Sequence, residues 1–400
     1  MPPHVEPRMG ELRLSIIGAM LTAIGPMSMY LYAPAVGAVA AELQATDAAV
    51  KLTLSAFFGG FAISQLVVGP VSDAIGRKTA INVFLGGFCI ATMTGYLAAS
   101  VETLMAARFV QGIGAAAGMA VSRALVRDLF AGLVAARTFA LMSMMLAIAP
   151  AVSPVVGGLV TTAFGWRAVF LLMIAFGVAT IAASALFVVE TVRRDWSRIW
   201  PSQWLVSYRI VLASRSYVTS AAAVALLVAV VYANNALLPF VLMDVVGLSP
   251  LQFGVAFLAH PLGFLVGSMV ARQVLSRHSA DFSMLCGYCV LAVACAGMLC
   301  LLAWTPTAWR VLVPVGLFSC GVAFIMPALT AAALERFPHV AGAASSMLGF
   351  AQMTLGLLAS VAGSMVSNTV VAVALLMPVM AALSAVAFGC HRSLSKVSPH

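Results

Sequence analysis

Ionisable groups are scarce in this chain, so each one inside an apolar run is informative. Only 8% of the 400 residues are charged, against 63% hydrophobic. Arg108 lies within such a run, with Gln111 three residues on and on roughly the same helical face. An arginine at that depth needs a partner or water, and it either belongs to an ion or proton pathway or snorkels to an interface. His260, followed by Pro261, is the one histidine placed inside a predicted span. Imidazole titrates near neutrality, which suits proton exchange, although a packed, hydrogen-bonded histidine is the other reading. Gly69-Pro70-Val71-Ser72-Asp73-Ala74-Ile75-Gly76-Arg77-Lys78 closes an apolar run. The glycines permit close backbone approach. Asp73, with Arg77 and Lys78 four and five residues on, can hold a charged turn against a neighbouring helix and lock a gate. Pro150 and Pro154 stand four apart, with Gly157 and Gly158 seven and eight after Pro150, so the spacing predicts one shared helix face. The prolines bend a helix and the glycines admit another one. Tyr30, Tyr32, Tyr232, Asn234, Asn235 and Gln352 are polar or aromatic groups at depth, suited either to ligand contact or to interhelical hydrogen bonds.

The elements that carry these residues follow from hydropathy. A soluble domain is about 25% charged, so lipid is the solvent implied here. A spanning helix needs about 20 apolar residues, and twelve such spans are predicted at 14–36, 52–71, 79–99, 104–126, 139–162, 167–189, 217–243, 251–275, 282–303, 309–334, 341–366 and 370–388. The expected architecture is an all-α membrane protein with two pseudo-symmetric six-helix bundles, 14–189 and 217–388. A tail at 1–13, a polar central loop at 190–216 and a tail at 389–400 complete it. The central loop holds Trp196, Trp200 and Trp204 with several arginines, the composition of a helix lying along the membrane surface. With both ends on the cytoplasmic side, seventeen of the 21 Lys and Arg fall there, and only Lys51, Arg108, Arg167 and Arg310 do not. The net charge of +9 therefore reads as orientation in a bilayer, not as affinity for nucleic acid. No cluster of nucleophile, base or metal ligands stands out, so neither an enzyme nor a cofactor is expected. Cys286 and Cys289 lie in an apolar helix and imply no redox site.

The string 69–78 resembles the signature between the second and third helices of the major facilitator superfamily, with Ala74 where that family often has Arg. The segment Arg108-Phe109-Val110-Gln111-Gly112 resembles its fourth-helix motif, in which the Arg is linked to proton coupling. Pro150, Pro154, Gly157 and Gly158 resemble the antiporter motif of drug exporters, in the two-proline form of the Bcr/CflA branch. Arg123-Ala124-Leu125-Val126-Arg127-Asp128 and Gly165-Trp166-Arg167 also fit that branch. The resemblance implies secondary efflux of small lipophilic drugs in exchange for protons, a monomeric working unit, and a bacterial inner membrane. It implies Gly69, Asp73, Gly76, Arg77 and Lys78 at a cytoplasmic gate, Arg108 with Gln111 in coupling, and Tyr30, Tyr32, Tyr232, Asn234, Asn235 and Gln352 around the cavity, while His260 enters coupling through its own chemistry. A dedicated carrier of one metabolite on the same fold is the alternative. The branch typically places an Asp just before Met-Tyr-Leu in its first helix. Ser28 precedes Met29-Tyr30-Leu31 here, so the usual coupling carboxylate is missing.

Overall fold

A computed structural model of the chain describes residues 10–130, 132–192, 194–196, 200–337 and 340–397. Among them every regular element is a helix, as a lipid environment demands of a chain that is not a closed barrel. The first half holds α1 (Glu11–Tyr30), α2 (Val36–Glu42), α3 (Asp47–Ile75), α4 (Arg77–Tyr96), α5 (Val101–Leu129), α6 (Gly132–Phe164) and α7 (Trp166–Phe187). After the connecting helix α8 (Pro201–Ala213) come α9 (Arg215–Pro239), α10 (Pro250–Ala256), α11 (Ala259–Leu275), α12 (Ala280–Leu299), α13 (Ala308–Glu335), α14 (Ala341–Ser364) and α15 (Thr369–Val397).

Eleven stretches among the described residues are long and apolar enough to cross a membrane. The shorter apolar part of α6, Ile148–Phe164, supplies a helix at the remaining expected position. Several spans are composite. A 3-10 turn at Ala33–Ala35 joins α1 to α2, and a π-helical turn at Phe240–Val245 extends α9. The prediction of an unbroken helix over 14–36 is corrected here. Pro34 at the start of the 3-10 turn has no amide hydrogen to continue an α-helical ladder. Elsewhere the helices outrun the predicted spans, as in Asp47–Ile75 and Val101–Leu129, because backbone bonding continues past the apolar core while hydropathy does not. Side chains start these helices: Thr46, Ser100, Ser214, Ser279 and Thr307 each accept an amide hydrogen at an N-cap, and Ser249 with Gln252 forms a capping box.

The helices α1 and α3–α7 pack among themselves, as do α9 and α11–α15; the halves meet where α3 lies along α14 and α6 against α10. Within the first half, a Cβ at Gly60 would overlap the Phe109 carbonyl and one at Gly112 the Phe57 carbonyl, so α3 and α5 touch backbone to backbone. Large side chains such as Phe164, Leu186 and Ile90 stay exposed on the outside, the surface a bilayer accepts. Helix α8 is two-sided: Tyr208 and Val211 are buried while Leu205, Val206, Ile210 and Leu212 are exposed. Tyr208 donates to the Leu66 carbonyl of α3 at 2.7 Å, and burial pushes its phenol up to about 12, which keeps the donor proton in place.

Candidate functional site

The alternation of spans puts the α3–α4 and α5–α6 corners, α8 and both described chain ends on one face, called here the terminal face. On the opposite face the halves are joined. Lys51 of α3 donates to Thr369 of α15 at 2.7 Å and lies 4.6 Å from the Phe240 ring centroid. Ser55 and Ser360 share a hydrogen bond of 2.6 Å, and Asn235 of α9 donates to the Met29 carbonyl of α1 at 3.4 Å. Among the described residues these three hydrogen bonds are all that directly connect α1–α7 with α9–α15, and none lies near the terminal face. Lys51→Met is therefore expected to loosen this face: the distance between spin labels placed across it, on α2 and on the Phe240–Val245 turn, lengthens relative to the parent protein. An unchanged distance means that Lys51 is no latch.

Between the halves lies a cavity of about 210 Å³, smaller than the roughly 300–1,000 Å³ that drug-sized ligands occupy. Pro26, Tyr30, Phe61, Met119 and Pro150 wall one side; Val228, Tyr232, Phe264, Met326 and Met353 wall the other. The prolines place helix bends at the wall, and the methionines adapt to different shapes. Tyr30 packs on Phe257 at 5.7 Å and Tyr232 on Phe58 at 5.3 Å between ring centroids. Of the six residues expected around a cavity, Tyr30 and Tyr232 line it. Tyr32 is turned away, sharing a 2.9 Å hydrogen bond with Thr53. Asn235 spans the halves through Met29, and Asn234 is buried with neither amide atom bonded. Gln352 is half-buried next to the lining Met353.

Arg108 is fully buried in the first half. It donates to the Ser28 carbonyl at 3.2 Å and to Gln111, and its guanidinium lies 4.8 Å from the Tyr32 and 4.5 Å from the Phe57 ring centroid. Gln111 passes the network on to Thr92 at 2.8 Å. The local cause is the break in α1. The helix ends at Tyr30, so its last carbonyls lack intrahelical donors. Arg108 satisfies Ser28, Asn235 satisfies Met29, and a cation sits at the negative end of a helix dipole. Its Nε and second terminal nitrogen have no partner. Ser28, where the resemblance leads us to expect an Asp, turns its hydroxyl to the Ile24 carbonyl at 2.7 Å instead.

His260 is in the other half. Its Nδ1 meets Ser319 Oγ at 2.8 Å, its Nε2 is unbonded, and its ring packs on Phe257 at 5.1 Å. One aromatic ring thus separates it from Tyr30, and the structure does not bring it to Arg108.

The turn at 69–78 is a charged knot on the terminal face. Gly76, at φ 99°, reverses the chain between α3 and α4. Arg77 is buried; it pairs with Asp73 and with Asp128 of α5 at 3.1 Å and donates to Ser72 at 2.5 Å. Glu190 accepts the Arg77 and Lys78 amides at 2.6 and 3.2 Å and so caps α4. Lys78 donates to the Ala185 carbonyl at the end of α7 at 2.7 Å. Sequence reasoning missed Glu190; its only signal was an acidic residue at the first position after an apolar span. Gly69 has open space around it, so close approach does not account for that glycine. All these contacts stay within the first half. Because the carboxylates of the pairs are 21–36% exposed, Arg77→Ala is expected to destabilise by about 2 kcal/mol, below the 3–5 kcal/mol of a fully buried pair. Thermal unfolding in detergent reads this out, and an unshifted transition would contradict it.

The Pro150–Gly158 face of α6 meets more than one neighbour. Pro150 lines the cavity. A Cβ at Gly157 would meet Leu31 and Pro34 of the same half, whereas one at Gly158 would meet Pro250 and Leu251 of α10. The return contact is Gly254 of α10 on Pro154 and Val155. Successive glycines thus serve two interfaces, one within a half and one between halves.

The arrangement is an apolar cavity between two helical halves, and no constellation for bond chemistry accompanies it among the described residues. Comparison with known proteins agrees. Multidrug resistance protein D of Escherichia coli is 28% identical over 383 residues, covering 94% of this chain and 95% of its own. The bicyclomycin resistance protein homolog of Haemophilus influenzae is 24% identical, covering 87% of each chain. In fold, a D-xylose-proton symporter superposes with a TM-score of 0.71 at 12% identity, covering 93% of this chain and 97% of its own. A bacterial homologue of the human lysosomal transporter Spinster, in an inward-facing and unoccupied conformation, gives 0.67 at 14% identity, covering 96% and 97%. Residues 18–364 match the profile of the Major Facilitator Superfamily, and this multi-pass membrane protein belongs to that family of transporters.

Proposed function

We propose that the protein exports small lipophilic compounds, antibiotics among them, from a bacterial cell by alternating access, in exchange for protons. The observation that carries this reading is the central cavity, walled by Met, Phe, Val and two tyrosines, with the hydrogen bonds between the halves gathered towards one face. Such a lining suits apolar solutes of varied shape. The names of the similar resistance proteins and the two-proline string of α6 support outward transport. The Lys/Arg asymmetry supports an inner-membrane topology with both ends cytoplasmic, which would put the hydrogen-bonded face of the halves on the outside. The functional halves are 14–189 and 217–388, each of six spans, and the working unit is a monomer.

Tyr30 and Tyr232 contact the solute in this scheme, and Asn234 and Asn235 acquire partners when the halves rearrange. Arg108 and Gln111 form the charged centre of the first half, with His260 as a separate proton acceptor in the second. The turn of Gly69, Asp73, Gly76, Arg77 and Lys78 forms the inner gate. Lys51 interacts electrostatically with Asp47 of its own half and Asp244 of the other. A proton arriving from outside at Asp244 would weaken the outer latch, giving a route for coupling without an acid in α1.

Cells producing the protein, loaded in turn with several structurally unrelated lipophilic dyes and antibiotics, are expected to expel more than one of them faster than cells without it. Export of a single compound would replace multidrug efflux with a dedicated carrier. Inward movement alone would overturn the proposed direction.

A further inference from the structure

Arg123 stands on α5 four residues after Met119, which lines the cavity, so it continues the same helix face towards the terminal side. Its side chain is exposed, and it lies close enough to Tyr232 of the other half for the two to interact electrostatically. No described residue gives Arg123 a hydrogen bond or an ion pair. The nearest acid in sequence, Asp128, is already held by Arg77 and Thr191. The cavity lining contains no carboxylate at all. The cavity therefore has apolar walls and two phenol groups, and one guanidinium without an ion-pair partner stands on the next turn of α5 beyond it. In a low-dielectric cleft that cation attracts an anion and repels another cation much more strongly than it would in water, and a planar fork of donors fits carboxylate and sulfonate oxygens.

The geometry points to an amphipathic organic anion, an aromatic ring system bearing a carboxylate or sulfonate, as the preferred solute, with its rings among Tyr30, Phe61, Met119 and Tyr232 and its acidic group on Arg123. This rests on the reading of the cavity as the transport site. It narrows that reading from lipophilic compounds in general to those with a negative end, and it sets cationic drugs at a disadvantage.

The test uses the full-length protein in proteoliposomes and three probes sharing one naphthalene ring: a sulfonate, its neutral sulfonamide and an ammonium derivative. The parent protein is expected to move the sulfonate at least tenfold faster than the ammonium probe. Arg123→Gln is expected to lower the sulfonate-to-sulfonamide transport ratio at least tenfold, and Arg123→Lys to restore most of it, which separates loss of charge from loss of fold. A ratio unaffected by Arg123→Gln, or a parent protein that prefers the ammonium probe, overturns the assignment while leaving efflux through the cavity intact. Transport of none of the three probes overturns the cavity reading with it.

Discussion

Gly158→Leu is expected to lower export at least a hundredfold while leaving the protein inserted in the membrane. At this position α6 and α10 touch with no side chain between them: an added Cβ would stand 2.8 Å from the Pro250 carbonyl carbon and 2.9 Å from the Leu251 Cα. The obstruction is reciprocal, because a Cβ added at Gly254 would stand at the same distances, 2.8 Å from the Pro154 carbonyl carbon and 2.9 Å from the Val155 Cα. These atoms are backbone, so no rotamer change relieves the overlap. Overpacking costs about 1–3 kcal/mol even where side chains can adjust. About 3 kcal/mol against the closed outer face shifts its population roughly a hundredfold. A transporter that cannot close one face no longer alternates access. Gly158→Ala, which adds only the Cβ, is expected to lose activity by a smaller factor. Efflux rates of the two variants, normalised to protein in the membrane, check the order; full activity of Gly158→Leu would mean that the α6–α10 contact is not part of the cycle.

Arg108→Ala gives the second large effect, and here stability and activity should separate. Removing the side chain leaves the Ser28 carbonyl and the Gln111 amide oxygen without their donor, at about 1–3 kcal/mol each. It also removes a buried cation with no carboxylate and two unbonded nitrogens, which relieves a desolvation cost of several kcal/mol. The two terms oppose one another, so the unfolding temperature in detergent should move little. Gradient-driven export is expected to fall at least a hundredfold, because a charge kept in membrane at that cost serves transport. Arg108→Lys should not rescue it, since an ammonium group cannot bond a helix-end carbonyl and Gln111 while lying flat between Tyr32 and Phe57. Undiminished export by Arg108→Ala would remove Arg108 from the mechanism.

The architecture was legible in the sequence because lipid imposes a simple code: about 20 apolar residues per span, with cations gathered on one side. That code is silent wherever a helix breaks inside the bilayer. Nothing in the hydropathy of 14–36 marks the stop at Tyr30, although Pro26 and Pro34 hint at it, and the environment of Arg108 follows from that stop. The charged turn at 69–78 stood out by composition, but its capping acid, Glu190, is more than a hundred residues away. Lys51 looked like one of four exceptions to a charge rule; only the approach of α15 and the Phe240–Val245 turn gives it a latch position. Arg123 was counted among the interior-side cations, and its place beside the cavity depends on which face of α5 turns to Tyr232. The spacing of Pro150, Pro154, Gly157 and Gly158 suggested one face but not its partners: the adjacent glycines, 100° apart at its two sides, meet different neighbours.

The central claim is proton-driven export through a cavity whose first half holds a buried arginine and no acidic partner in α1. Its most direct test is solute efflux from proteoliposomes containing the purified protein, with an imposed pH gradient and after collapse of that gradient by an ionophore. Export that proceeds against a concentration gradient only while the pH gradient lasts, with proton movement in the opposite direction, is the result this account predicts. Solute movement at the same rate with and without the gradient, ending at equal concentrations on both sides, would contradict it and would make the protein a facilitator without proton coupling.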